Sequence, residues 1–310
     1  MEYAPLIIPT LNRYDHFKRC INSLKECEHA EKTDLYIALD YPSLETHYNG
    51  WKKINSYVEK IEGFKSINIL KRSENFGTVK NVADARNFVW KFSDKFISSE
   101  DDNEFSYDFL SYMNDALEKF KDNENIFAIC GYMLPINFKK NDPEYFLMSN
   151  FSAWGWGGWR HKFEKVNFSL GNMKEDYLNP ASRRKIKNKQ VLRHMEQAIK
   201  LERAQNDTAV CNYLYQNDYY CLFPKHSKTR NFGNDGSGIN CKDNIYTNKI
   251  LSSYDIHNNE KKAVSDLKEI TYNKSMTQKY NNFVNPWGIN KIKLFFLDSI
   301  YKYFRFRNID

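Results

Sequence analysis

Residues Phe96-Ile97-Ser98-Ser99-Glu100-Asp101-Asp102-Asn103-Glu104 set a short apolar run against three consecutive carboxylates. Adjacent negative charges repel one another and resist leaving water. They fit the open end of a strand, where a cation neutralises them. Asp102 is therefore a candidate ligand for a divalent metal. The plainer account is an acidic loop that follows a strand, so the rest of the chain must decide between the two.

The elements that would position this triplet follow from periodicity. Ala4 to Thr10 reads as a buried strand, stopped by Pro9 and a polar turn through Asn12 and Arg13. Phe17, Cys20, Ile21 and Leu24 recur at helical spacing. Asp34 to Pro42 is a second strand, with Asp40 at its end. Trp51, Ile54, Val58 and Ile61 mark a second helix. Ser66 to Arg72 is a third strand, Asn75-Phe76-Gly77 a turn, and Val79 to Trp90 a third helix. With Phe96 to Ser99 this makes a β-α-β-α-β-α-β alternation, which predicts an α/β fold with a mostly parallel central sheet and helices on both faces. Ligands of such sheets bind beyond the carboxyl ends of the strands. Thr10, Asn12, Arg13, Asp40, Arg72, Asn75, Gly77, Glu100, Asp101 and Asp102 all fall there. No GxGxxG or GxxxxGK[ST] loop is present, which disfavours dinucleotide-dependent dehydrogenases and P-loop nucleotidases.

The chain has 310 residues, a net charge of +7 and 49 aromatic side chains (21 Tyr, 22 Phe, 6 Trp). The length suits one large domain or two small ones, and the charge favours anionic partners. Six cysteines show no CxxC pair and read as reduced, mostly buried thiols of a cytosolic protein. The N-terminus enters an apolar strand directly, so no signal peptide is expected. No apolar run approaches the roughly 20 residues that span a bilayer.

Beyond the triplet, Phe109 to Phe120 carries a helical stripe with Ser106 as the expected N-cap, and Ile126 to Met133 is a further strand. Ala153-Trp154-Gly155-Trp156-Gly157-Gly158-Trp159 interleaves three Trp with three Gly. That spacing is expected to form neither an ordinary helix nor a strand. A core-packed turn and a loop facing a sugar both remain open. Residues 181–204 read as one helix, basic on one face, most simply a solvated face. Asp207 precedes an apolar stretch, Tyr219 to Phe223 is strand-like, and a glycine-rich loop runs from Asn231 to Gly238. From Ile289, apolar residues alternate with Lys and Arg in a basic amphipathic helix. It would dock on the protein's own core or lie on an anionic membrane.

Taken together, these motifs resemble those of bacterial GT-A glycosyltransferases of the family 2 type, the transferases of surface polysaccharides. The opening strand Leu6 to Arg13 is similar to theirs. Glu100-Asp101-Asp102 followed by Asp108-Phe109-Leu110 is similar to the EDD segment of N-acetylglucosaminyltransferase I. Asn75-Phe76-Gly77, the Trp154–Trp159 segment, Phe223-Pro224-Lys225-His226-Ser227 and Asn231 to Asn240 match further motifs in order. The resemblance covers roughly residues 4–241. Two departures stand out. Both Trp of an S-W-D-x-x-W segment are missing around Asp207, and the His that often ends the glycine loop is Asn240, which puts that residue's role in doubt.

The resemblance implies a GT-A catalytic domain over 1–245, with a nucleotide-binding half (1–105) and an acceptor-binding half (106–245). A C-terminal extension over 246–310 would carry the basic helix. It implies Mn2+ or Mg2+ at Asp102, a UDP-sugar donor held by Thr10, Asn12, Arg13, Asp40, Arg72, Asn75, Gly77, Glu100 and Asp101, and a base contact from Asp40. Trp154, Gly155, Trp156 and Trp159 would face the acceptor or donor sugar. Asp207 would be the catalytic base of an inverting hexosyl- or N-acetylhexosaminyltransferase, with Glu202 and Asp176 in reserve and a helix-capping Asp as the plain alternative. The acceptor would be a glycan or a lipid-linked saccharide. The protein would be cytoplasmic, or peripheral at the inner face of the membrane through its C-terminal helix. Nucleic acid is not an expected partner, and the oligomeric state is unknown. Two other functions fit the strand-end acids or the basic helix: a sugar-nucleotide nucleotidyltransferase and a non-enzymatic polyanion-binding protein.

Overall fold

A computed structural model describes residues 2–203, 205–233, 235–237, 256 and 263–284. The amphipathic segment beyond Ile289, Asn240 and Cys241 lie outside the described residues. Strand β1 (Leu6–Thr10) is the spine of the first half. It runs parallel to β2 (Asp34–Leu39) on one side and β4 (Lys95–Ser98) on the other, and β3 (Ser66–Ile69) extends the sheet beyond β2. Side chains alternate along β1. Leu6 and Ile8 therefore enter one core with Phe17, Ile21, Ile54 and Val58 from helices α1 (Tyr14–Lys25) and α2 (Tyr48–Val58). Ile7 enters the other core with Ala85 and Val89 of α3 (Gly77–Val89). Helices thus cover both faces, as the alternation predicts.

After β4 come a three-residue strand, β5 (Asn103–Phe105), and helix α4 (Phe109–Lys119), whose Phe109, Leu110, Met113 and Leu117 are fully buried. Strands β6 (Ile126–Cys130), β7 (Tyr145–Met148), β8 (Trp156–Trp159) and β9 (Tyr220–Pro224) complete an eight-stranded sheet in the order β3-β2-β1-β4-β8-β6-β9-β7. β8 runs antiparallel between β4 and β6, and β7 antiparallel to β9; the other pairings are parallel. Between β8 and β9 lie helices α5 (Arg160–Phe163), α6 (Leu170–Leu178), α7 (Pro180–Lys185), α8 (Lys189–Lys200) and α9 (Asn206–Asn217). A two-stranded ribbon joins β5 to β10 (Thr229–Asn231). Helix α10 (Lys274–Val284) follows Tyr272, which bridges Leu147 on the outer edge of β7. Among the described residues no helix is long and apolar enough to cross a membrane.

Three local expectations are corrected. Ser106 is not the cap of α4. Asp108 stands at that position, and Ser106 Oγ donates to its carboxylate at 2.7 Å. Residues 181–204 are not one helix. Asn188 turns the chain between α7 and α8, its side chain accepting from Gln190 N at 2.9 Å, as Asn does at helix starts. The Trp/Gly segment does form a strand. Trp156 packs into one core and Trp159 into the other, and the two glycines between them leave room for Trp156 and Leu117. A Cβ at Gly158 would press on the Trp156 ring at 3.2 Å, and one at Gly157 on Leu117 at 3.1 Å.

Candidate active site

The acidic triplet sits where β4 leaves the sheet, beside the end of β1. That adjacency brings residues about 90 positions apart into contact. Thr10 Oγ1 donates to Asp101 Oδ2 at 2.8 Å, and Arg13 reaches Asp101 Oδ1 at 2.5 Å and Asp102 Oδ2 at 2.8 Å. Burial works against the Arg13 charge, but Asp101 and Asp102 more than offset it and hold its pKa above the ordinary value. Burial also pushes the Asp101 acid up, against the pull of Arg13 and Thr10. The cation is thus partly supplied by the chain itself.

The ribbon β5–β10 adds a second hold on Asp102. Asn231 Nδ2 donates to Asp102 Oδ1 at 2.7 Å, and the backbone N–H of Phe232 donates to the Asp102 carbonyl at 2.9 Å. Gly233 lies so close that a Cβ there would overlap Asp102 Oδ2. The same loop is pinned to α1 by His16 against Asp235 at 3.1 Å and by Arg19 over the Phe232 ring at 4.2 Å. Asn231 and Gly233 were legible only as members of a motif; their contact with Asp102 depends on β10 pairing with β5.

Asp207 occupies the first turn of α9. Its side chain is exposed at the surface, yet the protein packed around its carboxylate displaces enough water to push its acid up to about 6. Glu100 carries no hydrogen bond or ion pair on its carboxyl among the described residues. Its acid is raised by burial first, then by the charges of Asp102, Asp207 and Asp101. The charge of Asp207 thus reaches Glu100, the first member of the triplet. The reserve candidates are placed elsewhere. Asp176 accepts from Asn212 at 2.7 Å on the α6–α9 contact, and Glu202 sits in a left-handed turn after α8.

The structure redirects Asp40. Its Oδ1 accepts from the backbone N–H of Tyr41 (2.9 Å) and Phe76 (2.8 Å). Its Oδ2 accepts from the backbone N–H of Gly77 (2.9 Å) and from Asn75 Nδ2 (3.4 Å). A carboxylate has about four lone-pair sites, and all are used, three of them in holding the start of α3. As folded, Asp40 has no lone pair left for a base N3–H. Arg72 is likewise engaged, with Nε on Asn81 (2.8 Å) and an ion pair to Asp84 (2.6 Å). Asn75 Nδ2 also donates to the Tyr41 carbonyl at 2.6 Å. Gly77 has φ +71° and open space where a Cβ would stand, and the Asn12 carbonyl packs against Gly50 of α2. Trp156 and Trp159 are buried in the two cores and do not line a loop. Trp154, half-buried, meets Tyr132 edge-on at 4.6 Å, and Gly155 takes φ +70° beneath Phe109 and Thr229.

Among the described residues, no group of three or more His, Cys, Asp or Glu side chains is placed to hold a metal. A hard divalent ion surrounds itself with about six oxygens, several from water and phosphate. Asn231 and Arg13 take one lone pair on each Asp102 oxygen and leave one on each. The donor chemistry fits Mn2+ or Mg2+ as a half-site that a phosphate would complete.

No protein-family model matches the chain, and no curated protein matches it. Solved structures similar to it include the mannosyltransferase PcManGT from Pyrobaculum calidifontis in complex with GDP-Man and Mn2+, at 12% identity over 53% of this chain and 46% of that one, TM-score 0.35. They also include S. aureus TarS, at 14% identity over 56% of this chain and 33% of that one, TM-score 0.35. TarS 1-349 in complex with UDP gives 15% identity over 56% and 54%, TM-score 0.35. The chain thus spans from a third to about half of the length of these structures. Scores at this level carry no assignment of function.

Proposed function

We propose that the chain is a metal-dependent, inverting glycosyltransferase of the GT-A type. It would move a sugar from a UDP-sugar to a hydroxyl of a surface glycan or lipid-linked saccharide. The observation that carries this reading is the set of three adjacent carboxylates, Glu100, Asp101 and Asp102, at the carboxyl end of β4, with Asp101 and Asp102 held by Thr10, Arg13 and Asn231 from three other segments. Adjacent carboxylates are costly to crowd together unless a cation uses them.

In this reading Asp207 accepts the proton of the acceptor hydroxyl as its oxygen attacks the anomeric carbon. The bond from that carbon to the diphosphate breaks, and UDP leaves. An acid raised to about 6 is ionised at neutral pH and still basic enough to take a proton. Arg13 offsets charge beside the leaving diphosphate, and Asn231 fixes the orientation of Asp102. A divalent ion held at Asp102 would supply further neutralisation of the diphosphate. The half-buried Trp154 is the ring of the Trp/Gly segment left to meet a sugar. The site would work in the cytoplasm or at the inner face of the membrane.

A thermal-shift panel tests the reading. UDP with Mn2+ is expected to raise the melting temperature. Stabilisation by nucleoside triphosphate alone would indicate a nucleotidyltransferase, and stabilisation by soluble polyanion alone a binding protein.

A further inference from the structure

Arg183, Arg184, Lys185, Lys187, Lys189 and Arg193 place six cations within eleven residues, with no carboxylate among them. They ride on the corner between α7 and α8, and the fold turns them outward. Ile186, Asn188, Val191 and Met195 face the interior, which leaves Lys187, Lys189 and Arg193 exposed between them. The corner is fixed to α9. Gln216 Nε2 donates to the Ser182 carbonyl at 3.1 Å, and Lys185 Nζ donates to the Gln216 carbonyl at 2.9 Å. Arg183, Arg184, Lys185, Lys187 and Arg193 make no ion-pair contact among the described residues. Glu196, the first acid further along α8, is paired with Lys200 at 2.7 Å.

Two of these cations also serve the fold, Lys185 through the Gln216 carbonyl and Lys187 through the Arg184 carbonyl at 2.6 Å, but no acid offsets the cluster within 183–193. Arg183 to Lys185 suit the last turn of α7, but Lys187 and Lys189 flank the start of α8, where the helix dipole disfavours cations. An apolar residue adjoins them. Leu178, at the end of α6 just before the α7 cap, is 66% exposed, the most of any large apolar side chain among the described residues.

We propose that the α7–α8 corner is a docking surface for an anionic phospholipid bilayer. Clustered Lys and Arg gain from the negative surface potential of such a bilayer, and their long stems lie along its interface. An exposed Leu gains by entering the acyl boundary but gains nothing from a hydrated polymer. Single-stranded nucleic acid would be held by open aromatic faces as well, and Tyr177 at the end of α6 is already covered by Arg183 at 4.8 Å. The surface is distinct from the acidic triplet and does not depend on the activity proposed for it.

Co-sedimentation of the full chain with vesicles tests this without any nucleotide. The protein is expected to bind vesicles of phosphatidylcholine with phosphatidylglycerol at about 0.1 M salt, and pure phosphatidylcholine weakly. Arg183→Gln with Arg184→Gln and Arg193→Gln should weaken that binding more than about tenfold, with an unchanged melting temperature. Leu178→Ser should weaken it several-fold while leaving binding to heparin unchanged. Absence of binding to anionic vesicles, equal binding by the triple variant, or binding to heparin without binding to vesicles would each overturn the proposal.

Discussion

Asn231 donates to Asp102 Oδ1 at 2.7 Å across 129 residues of sequence. The contact exists because β10 pairs with β5, so a late segment sets the orientation of a carboxylate presented by an early one. Asn231→Ala also removes the bond to Asn103 Oδ1 (2.9 Å) and the acceptor of the Gly233 N–H (2.9 Å), so it should cost about 1–3 kcal/mol of stability while the chain still folds. It should lower catalytic efficiency by about 10- to 100-fold, the usual cost of losing a partner that orients a ligand. Steady-state UDP release is the readout.

Gly233 tests the same carboxylate by crowding. Its missing Cβ makes room for Asp102 Oδ2. Gly233→Ala should displace Asp102, cost about 1–3 kcal/mol of stability and abolish metal-dependent nucleotide binding in the still-folded protein. A fully active variant would show that the loop yields and that Asp102 is not fixed from this side.

Asp207→Asn should leave donor binding unchanged and reduce turnover by at least about a hundredfold, the range for loss of a general base. Calorimetric UDP binding and single-turnover transfer separate the two effects. Unimpaired turnover would remove Asp207 from the mechanism.

The same group sets a pH dependence. Its acid is raised from 3.8 to about 6 in the fold, and the base must be ionised. The rate should therefore fall as pH drops below about 6, and this acid limb should vanish in Asp207→Asn. The sign for stability is opposite. A carboxylate with a raised folded pKa binds its proton more tightly in the native state. Its ionisation therefore costs nothing below about pH 4 and reaches its full cost above about pH 6. After discount for the water that reaches the group, Asp207→Asn should stabilise the neutral-pH protein by roughly 0.5–1 kcal/mol. Thermal unfolding between pH 4 and 8 measures this.

Asp40 separates a structural role from base recognition. Asp40→Ala strands the backbone N–H groups of Tyr41, Phe76 and Gly77 and should cost about 1–3 kcal/mol in chemical denaturation. If Asp40 instead read a nucleobase, the variant would lose UDP affinity at unchanged stability.

Much of this arrangement was legible in the sequence. The β-α alternation up to Ser99 is carried by local periodicity, so β1 to β4, their helices and the rim holding Thr10, Arg13 and Asp102 could be read directly. Trp156 and Trp159 could not. A Trp/Gly segment becomes a strand only when two neighbouring strands and two cores receive it, and those contacts are not local. Asp40 was visible as a strand-end acid, but whether its lone pairs face a ligand or α3 depends on where the Asn75-Phe76-Gly77 turn folds back. Asp207 was singled out through motif order, and its place in the first turn of α9 follows from contacts that local periodicity does not carry.

The most direct test of the account is calorimetric titration of UDP into the protein with Mn2+, repeated with EDTA and with Asp102→Asn. The account predicts saturable binding with Mn2+ that is lost under both other conditions. Equal UDP affinity in all three, or no UDP binding with Mn2+ present, would contradict it.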